Sequence, residues 1–268
     1  MRRKAIIIWL IAATLVAVVA WQARQAHLAL QNPAIISGYS ALAVMIALVL
    51  FNVRKKLSMI PLVSARVWLI IHVAFGVALL PMVWLHTGSL WPEGLYEQVL
   101  IGLFYLVSGS GIFGYWLSLT VPRRLRHLGG EIIYERIPHE LHEVREQVKQ
   151  LIFEAVEASG HETLTLEYKQ SLAWFFARPR FFFSHLSGSR RPSAWQEQKA
   201  QSLKPFLGEA EMRSFEKIER LMDYKNKVDG HYAAQSFLKY WLYFHLPVSL
   251  SLIIFVLWHV LLVHLYAL

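Results

Sequence analysis

Five stretches of the chain are almost entirely apolar, and each is long enough to form a membrane-spanning helix. They cover residues 5–21, 35–52, 67–86, 95–118 and 240–266. Each contains about 17 residues or more, and a helix of that length, rising about 1.5 Å per residue, nearly crosses a hydrocarbon core of about 30 Å. The pattern therefore predicts an all-α membrane protein with five transmembrane helices that form a bundle.

A long polar stretch separates the fourth apolar run from the fifth. Apolar residues recur at helical spacing over residues 138–160 and again over 209–228, after which Asp229 and Gly230 are expected to end the helix. We therefore expect a helical insertion rather than a plain loop. The predicted regions are 1–118 with transmembrane helices 1–4, 119–239 as a cytoplasmic helical segment, and 240–268 with transmembrane helix 5.

The composition supports a membrane protein and narrows its chemistry. Only 17% of the residues are charged and 56% are hydrophobic, whereas soluble domains carry about 25% charged residues. The chain contains no cysteine, which excludes disulfides, c-type haem attachment and cysteine-bound iron–sulfur clusters within it. The basic start MRRK followed by an apolar run resembles a signal peptide, but we expect it to be retained as a signal-anchor helix.

Basic residues near the ends of the apolar runs indicate the orientation in the membrane. If the five helices alternate in direction, Arg24 is the one lysine or arginine near the helix ends on one side. Those on the other side are Arg2, Arg3, Lys4, Arg54, Lys55, Lys56, Arg66, Arg123, Arg124 and Arg126. The positive-inside rule then predicts a cytoplasmic N-terminus and an outer C-terminus, in what we expect to be a bacterial inner membrane. The net charge of +9 follows from this topology, and we expect no nucleic acid partner.

Aromatic residues alternate with Arg178 and Arg180 over residues 172–186 of the insertion. Such a stretch could bind single-stranded nucleic acid by base stacking. It could also lie at a membrane interface or bind a protein partner, and we favour this second interpretation. The chain lacks the glycine motifs that hold phosphates, so we expect it not to bind NAD, FAD or ATP itself.

Histidines occur in pairs at the same interval in two of the apolar runs. His72 and His86 are 14 positions apart in the third run. His245 and His259 are 14 positions apart in the fifth. Fourteen steps of 100° fall about 40° short of four turns, so both histidines of a pair face nearly the same way, about 21 Å apart along the axis. Because runs three and five cross in the same direction, His72 should face His245, and His86 should face His259.

Two imidazoles that meet across a helix bundle can serve as the axial ligands of a b-type haem. We therefore predict two haems b. The inner haem would lie between His72 and His245, and the outer haem between His86 and His259. The alternative for these four histidines is a proton pathway.

Two further residues are candidates for contact with the haem. Gly76 lies one turn after His72 and is expected to leave room for a porphyrin between the helices. Arg66 is a candidate partner for an anionic propionate group. The alternatives are ordinary small-residue packing for Gly76 and a positive-inside signal for Arg66.

With these four histidines, the chain resembles the membrane dihaem b cytochromes. This group includes cytochrome b of quinol-oxidising complexes, cytochrome b561-type proteins and the transmembrane domain of ferric reductases and NADPH oxidases. Histidine pairs on the third and fifth spans are most similar to the ferric reductase pattern, which implies electron flow from the cytoplasmic to the outer face. We expect the chain to depart from it by having five spans rather than six, by the insertion 119–239, and by lacking a flavin and nicotinamide domain after the fifth span.

The sequence as a whole predicts an electron-transfer subunit of a larger redox complex in the lipid bilayer. The subunit would pass electrons between a cytoplasmic-side partner or a quinone and a redox protein at the outer face. Expected partners are iron–sulfur, flavin or multihaem cytochrome subunits, and quinone is a candidate ligand. Two alternatives stay open: a self-sufficient quinol- or ferric-reducing oxidoreductase, and a haem-free membrane scaffold or transporter.

Overall fold

The computed structural model describes residues 2–49, 64–130 and 132–266. Within these ranges all regular structure is helical and no β-strand occurs, which confirms the predicted all-α class. The basic residues Arg54, Lys55 and Lys56 and the end of the second apolar run, residues 50–52, lie outside the described residues.

In the described residues, four α-helices precede the polar segment, five α-helices of very different lengths lie within it, and one long α-helix comes last. The first four are α1 (Arg2–Leu28), α2 (Pro33–Val49), α3 (Ala65–Thr87) and α4 (Leu95–Leu128). Then follow α5 (Ile137–Ser159), α6 (Thr163–Glu167), α7 (Ala173–Ala177), α8 (Phe182–Ser187) and α9 (Arg191–Leu203). The last, α10 (Glu209–Tyr266), has 58 residues. Short turns of 3₁₀- or π-helix occupy Tyr134–Arg136, Tyr168–Leu172 and Lys204–Phe206.

The chain folds as two compact units. The apolar unit contains the described residues up to Leu117 and those from Trp241 onward. The polar unit contains residues 118–240. Helices α4 and α10 contribute residues to both.

Four helices, α1, α3, α4 and α10, are long and apolar enough to cross a membrane. Their apolar side chains are largely exposed on the chain itself, as Leu10 of α1 and Ile254 of α10 illustrate. Apolar surface of this extent needs lipid to cover it, and a helix satisfies its own backbone hydrogen bonds, as the bilayer core demands. The chain is therefore an integral membrane protein. In the described residues α2 is apolar but shorter, so the fifth span stays a prediction.

Helix α3 lies at the centre of the apolar unit. On one side its Ala74 and Ala78 pack against Ala12 of α1, where small side chains let two helix backbones approach closely. On another side Met82 is fully buried. It belongs to a cluster with residues of all four neighbouring helices: Val19 of α1, Ala41 and Val44 of α2, Ile101 and Phe104 of α4, and Leu252 of α10. This packing determines which way α3 presents its remaining faces.

The core of the polar unit is formed by α5, α7, α9 and the first half of α10. Helix α5 ends as predicted at Gly160, whose φ of 69° is the left-handed conformation that favours glycine. Phe175 and Phe176 of α7 are buried in this core together with Phe215 of α10. Part of the aromatic stretch 172–186 is therefore core, whereas Phe183 remains 81% exposed.

The prediction that a helix ends at Asp229 and Gly230 is wrong, because α10 continues through both residues. The carboxylate of Asp229 accepts a hydrogen bond from Lys225, one turn earlier, and another from the backbone N–H of Arg180. A Cβ atom at Gly230 would lie 2.8 Å from a methyl carbon of Leu128. The glycine thus serves close packing against α4 rather than a helix end.

Lys225 and Asp229 form an ion pair inside the polar unit. Their side chains are fully buried and 2.5 Å apart, and the Lys225 ammonium also donates to the Arg178 carbonyl and lies over the ring of Phe175. Burial lowers the pKa of Lys225 to about 8 and raises the pKa of Asp229 to about 6, while the charge of each partner opposes these shifts. Both groups are therefore charged at neutral pH, and each depends on the other.

We expect Asp229→Asn to destabilise the full chain by ~3–5 kcal/mol, because it leaves the buried ammonium of Lys225 without its counter-charge. The double variant Lys225→Met/Asp229→Leu should recover part of this loss, because it removes both buried charges. The recovery should be incomplete, because the Arg178 carbonyl and the Arg180 N–H then lose their hydrogen-bond partners. Unfolding in detergent, followed by circular dichroism, measures both. As a control, Lys149→Met breaks an exposed pair with Glu146 and should cost below ~1 kcal/mol. Equal effects of Asp229→Asn and Lys149→Met would contradict this account.

His185 of α8 makes the polar unit sensitive to acid. Burial, with the nearby charges of Lys225 and Arg124, lowers its pKa from 6.5 to about 4. The unfolded chain therefore binds a proton at this site more readily, and stability is lost as pH falls from about 6.5 towards 4. We expect His185→Gln to remove this part of the loss, measured as the difference between variant and wild-type melting temperatures at pH 7 and pH 5. The contribution of Asp229 to the pH dependence of stability has the opposite sign, but it is present in both the variant and the wild type. The difference between their melting temperatures therefore reports on His185. Identical pH profiles of the two proteins would refute the prediction.

Candidate functional site

The four spaced histidines meet in pairs between α3 and α10. The ring centroids of His86 and His259 are 6.1 Å apart, and the ring planes are inclined by 87°. His72 and His245 are close enough for the charge of one to act on the other. Because each histidine of α3 meets the one at the matching level of α10, the two helices run parallel through this part of the apolar unit.

Helix α2 orients both histidines of α3. The Nδ1 atom of His86 lies 2.8 Å from the carbonyl oxygen of Ala34. A carbonyl only accepts hydrogen bonds, so Nδ1 carries the proton and the Nε2 atom of the neutral ring keeps its lone pair. A Cβ atom at Gly38 would lie 2.8 Å from Cε1 of His86, so only glycine leaves room for the ring there. One level away, His72 interacts with the backbone of Leu48.

Helix α4 orients His245 in the same way. The Ser110 hydroxyl donates its proton to the Val107 carbonyl at 2.9 Å and lies 2.7 Å from Nδ1 of His245. When the hydroxyl donates to Val107, it accepts from Nδ1–H of His245, and the lone pair of the neutral ring is on Nε2. Trp241 stacks on the same imidazole at 5.2 Å and donates its indole N–H to the Ser110 carbonyl. A Cβ atom at Gly114 would overlap the Trp241 ring, so this glycine makes the stacking possible.

Tyr96 of α4 is the neighbour of His259. The two rings stack with centroids 6.2 Å apart and an angle of 19° between their planes. The Tyr96 hydroxyl donates to the carbonyl oxygen of Phe255, one turn before His259, at 3.0 Å. Tyr96 therefore holds the His259 ring through its face, whereas Ser110 holds the His245 ring through its edge.

The interval of 14 residues recurs on all four helices. The residues that contact the histidines are 14 positions apart on α2 and again on α4. The result is two layers, each with one residue from each of α2, α3, α4 and α10. One layer contains Ala34, His86, His259 and Tyr96, and the other contains Leu48, His72, His245 and Ser110. At about 1.5 Å per residue, the layers are about 21 Å apart.

The separation of the rings in the layer of His86 is compatible with two imidazoles on one metal ion. Metal–imidazole bonds are about 2.0–2.1 Å long, and each ring centroid lies about 1 Å behind its nitrogen, so two imidazoles on opposite sides of one ion have centroids roughly 6 Å apart. The observed 6.1 Å agrees. No cluster of three or more metal-binding side chains occurs in the described part of the chain, but a haem iron needs only two axial imidazoles, because the porphyrin supplies the other ligands. The residues present therefore fit this group.

The other two predicted site residues, Gly76 and Arg66, are also on α3. Nothing lies within 4 Å of a Cβ atom built at Gly76. Arg66 is exposed in the first turn of α3. Their contact with a cofactor stays a prediction. His264, which is off the ligand face, lies 2.8 Å from the Tyr39 hydroxyl and 2.8 Å from the Val260 carbonyl.

Sequence reasoning found the histidines but missed their supports. Ala34 and Leu48 act through backbone atoms, which leave no trace in residue type. Gly38, Ser110 and Gly114 are recognisable only as small residues, a pattern that ordinary helix packing also produces. Tyr96 could have been found, because it lies 14 positions before Ser110 at the other end of the same apolar run.

We expect Gly38→Ala to destabilise the apolar unit by about 1–3 kcal/mol, because the added methyl group displaces the His86 ring from the Ala34 carbonyl. The matched control is Gly109→Ala, where a Cβ atom meets nothing within 4 Å and better helix propensity adds up to ~1 kcal/mol. The measurement is unfolding of both variants in the same detergent. A Gly38→Ala variant as stable as Gly109→Ala would show that the His86 ring does not occupy this position.

Comparisons with protein-family models, with curated proteins and with solved structures gave no match for this chain. Its function is therefore argued from the geometry of the two layers.

Proposed function

We propose that this chain is a transmembrane electron-transfer subunit that binds two b-type haems within a larger redox complex. The observation that carries the proposal is the outer pair, in which His86 and His259 face each other at 6.1 Å. The hydrogen bond to Ala34 leaves Nε2 of His86 available for iron. The inner haem would be held by His72 and His245, which lie at the matching level of the same two helices. Nδ1 of His245 contacts Ser110, whereas among the described residues Nδ1 of His72 makes no hydrogen bond like that of His86 to Ala34.

The proposed architecture has five spans, with α2 extended by residues outside the described range, and a cytoplasmic insertion, residues 119–239. The excess of arginine and lysine on one side supports a cytoplasmic N-terminus. With this orientation the layer of His72 is nearer the cytoplasm, and the layer of His86 is nearer the outer face. A bacterial inner membrane is the membrane we propose.

When bound, each haem supplies one-electron redox chemistry, and two haems stacked across a bilayer provide a path through it. The contribution of the protein is positioning. Ala34 and Ser110 hold protons on Nδ1 of their histidines, Trp241 and Tyr96 stack on the α10 rings, and the apolar helix faces keep water away. Electrons would be exchanged with a cytoplasmic-side subunit or a quinone at the inner layer, and with a redox protein at the outer layer. Iron–sulfur, flavin or multihaem cytochrome subunits are the proposed partners.

The purified chain should show a reduced-minus-oxidised b-type absorption band and two haems per chain. We expect His86→Ala and His259→Ala each to remove one haem, and His72→Ala and His245→Ala each to remove the other, because a low-spin iron needs both axial imidazoles. The haem-to-protein ratio and the absorption band measure this. His264→Ala is the matched control, since it removes a membrane histidine outside both layers and should keep both haems.

A colourless protein would overturn the proposal and leave the membrane scaffold or transporter as the function. Retention of both haems in every single variant would refute the assigned pairs. A second readout is independent of haem loss: perpendicular axial imidazoles produce a strongly anisotropic low-spin ferric signal in electron paramagnetic resonance. The 87° angle between His86 and His259 predicts such a signal for the outer haem of the unsubstituted chain, and a haem-loaded chain without this signal in its oxidised form would contradict the perpendicular arrangement.

A further inference from the structure

Three consecutive phenylalanines at the start of α8 point in different directions. Phe181 precedes the helix with a φ of 54°, an uncommon backbone conformation for a bulky residue. Its ring lies against Trp174 and Trp195 of the polar unit, and the ring of Phe182 lies 6.4 Å from that of Tyr232. Phe183, in contrast, is 81% exposed. Two anchored rings thus hold the third one outward.

The sequence on both sides of Phe183 is basic. Residues 168–196 contain five lysines and arginines and no aspartate or glutamate. Arg178 precedes α8, and Arg190 and Arg191 follow it, all three with exposed side chains. Because this stretch contains no acidic residue, no carboxylate within it neutralises the arginines.

A second basic segment adjoins α8 in the polar unit. The Arg124 guanidinium of α4 donates to the carbonyl of Leu186, the last but one residue of α8. Arg123 and Arg126, on either side of Arg124, have exposed side chains. α8 is therefore fastened to a stretch of α4 that carries three arginines within four residues.

The arginines of α4 follow its apolar part along the chain. Arg124 comes three residues after Val121, which is about 4.5 Å along the helix axis. The headgroup region on each side of the hydrocarbon core is roughly 5–8 Å thick. If the hydrocarbon core ends near Val121, Arg124 is at the level of the lipid phosphates, and α8 is hydrogen-bonded to it.

We propose that α8 docks on the surface of an anionic lipid bilayer, with Phe183 inserted among the acyl chains and the five exposed arginines, Arg123, Arg126, Arg178, Arg190 and Arg191, at the lipid phosphates. Aromatic rings and arginines are the side chains that favour this interface, and guanidinium groups bind phosphate in pairs of hydrogen bonds. The inference does not depend on haem binding.

The natural lack of cysteine provides a direct test. In the full chain, Phe183→Cys introduces a single thiol for a nitroxide label, and the chain is placed in nanodiscs of phosphatidylcholine with or without phosphatidylglycerol. Collision of the label with oxygen, which enters lipid, is compared with collision with a water-soluble nickel chelate. We expect a severalfold excess of oxygen over nickel accessibility at position 183, and a larger excess with phosphatidylglycerol.

The matched control is Phe153→Cys, because Phe153 is an exposed phenylalanine of α5 in the same polar unit, at 63%, next to Glu154. Its label should stay accessible to nickel. A label at Ser187, at the end of α8, retains Phe183 and should follow the pattern of position 183. Arg190→Gln/Arg191→Gln, with the label at 187, should reduce the effect of phosphatidylglycerol.

Nickel accessibility equal at 183 and 153 would overturn the proposal, and so would a label at 183 shielded from both reagents, which would indicate a protein partner instead.

Discussion

An α-helix returns to nearly the same face after 14 residues, and this periodicity governs the apolar unit. Each of the four helices around the histidines presents two residues at that interval, so that a single register of packing aligns both layers at once. The parallel pair α3 and α10 brings imidazole to imidazole. Because a shift of one residue rotates a helix face by about 100°, no helix could slip without separating the partners in both layers.

Within this frame, the hydrogen bond from His86 to the Ala34 carbonyl determines the tautomer of that ring. With the proton on Nδ1, the Nε2 atom of the neutral ring keeps its lone pair. Gly38 contributes to this hydrogen bond, because its lack of a side chain leaves room for the His86 ring to reach the Ala34 carbonyl. The role of α2 is thus to orient His86 rather than to supply a histidine of its own.

The sequence predicted the helical class, the long apolar helices and the extent of α5, because each depends on hydrophobic periodicity that can be read from residue types. It could not predict that α10 passes through Asp229 and Gly230, since an Asp–Gly pair is a typical helix end and the compensating partners, Lys225, Arg180 and Leu128, are only brought there by folding. For the same reason Phe175 and Phe176 could not be separated from Phe183 by sequence. At the histidines, residue type and spacing identified the four rings, but the carbonyl groups that orient them are identical in every residue.

The shared helix α10 has a consequence for biosynthesis. His259 is 173 residues further along the chain than His86, and the whole polar unit is translated between them. At about 5–20 residues per second, roughly 9–35 s pass before the second ring of the outer pair exists. During that time α4 is synthesised as well, and α3 holds two imidazoles that have no partner ring on α10. Both layers can therefore assemble only after the polar unit has been synthesised.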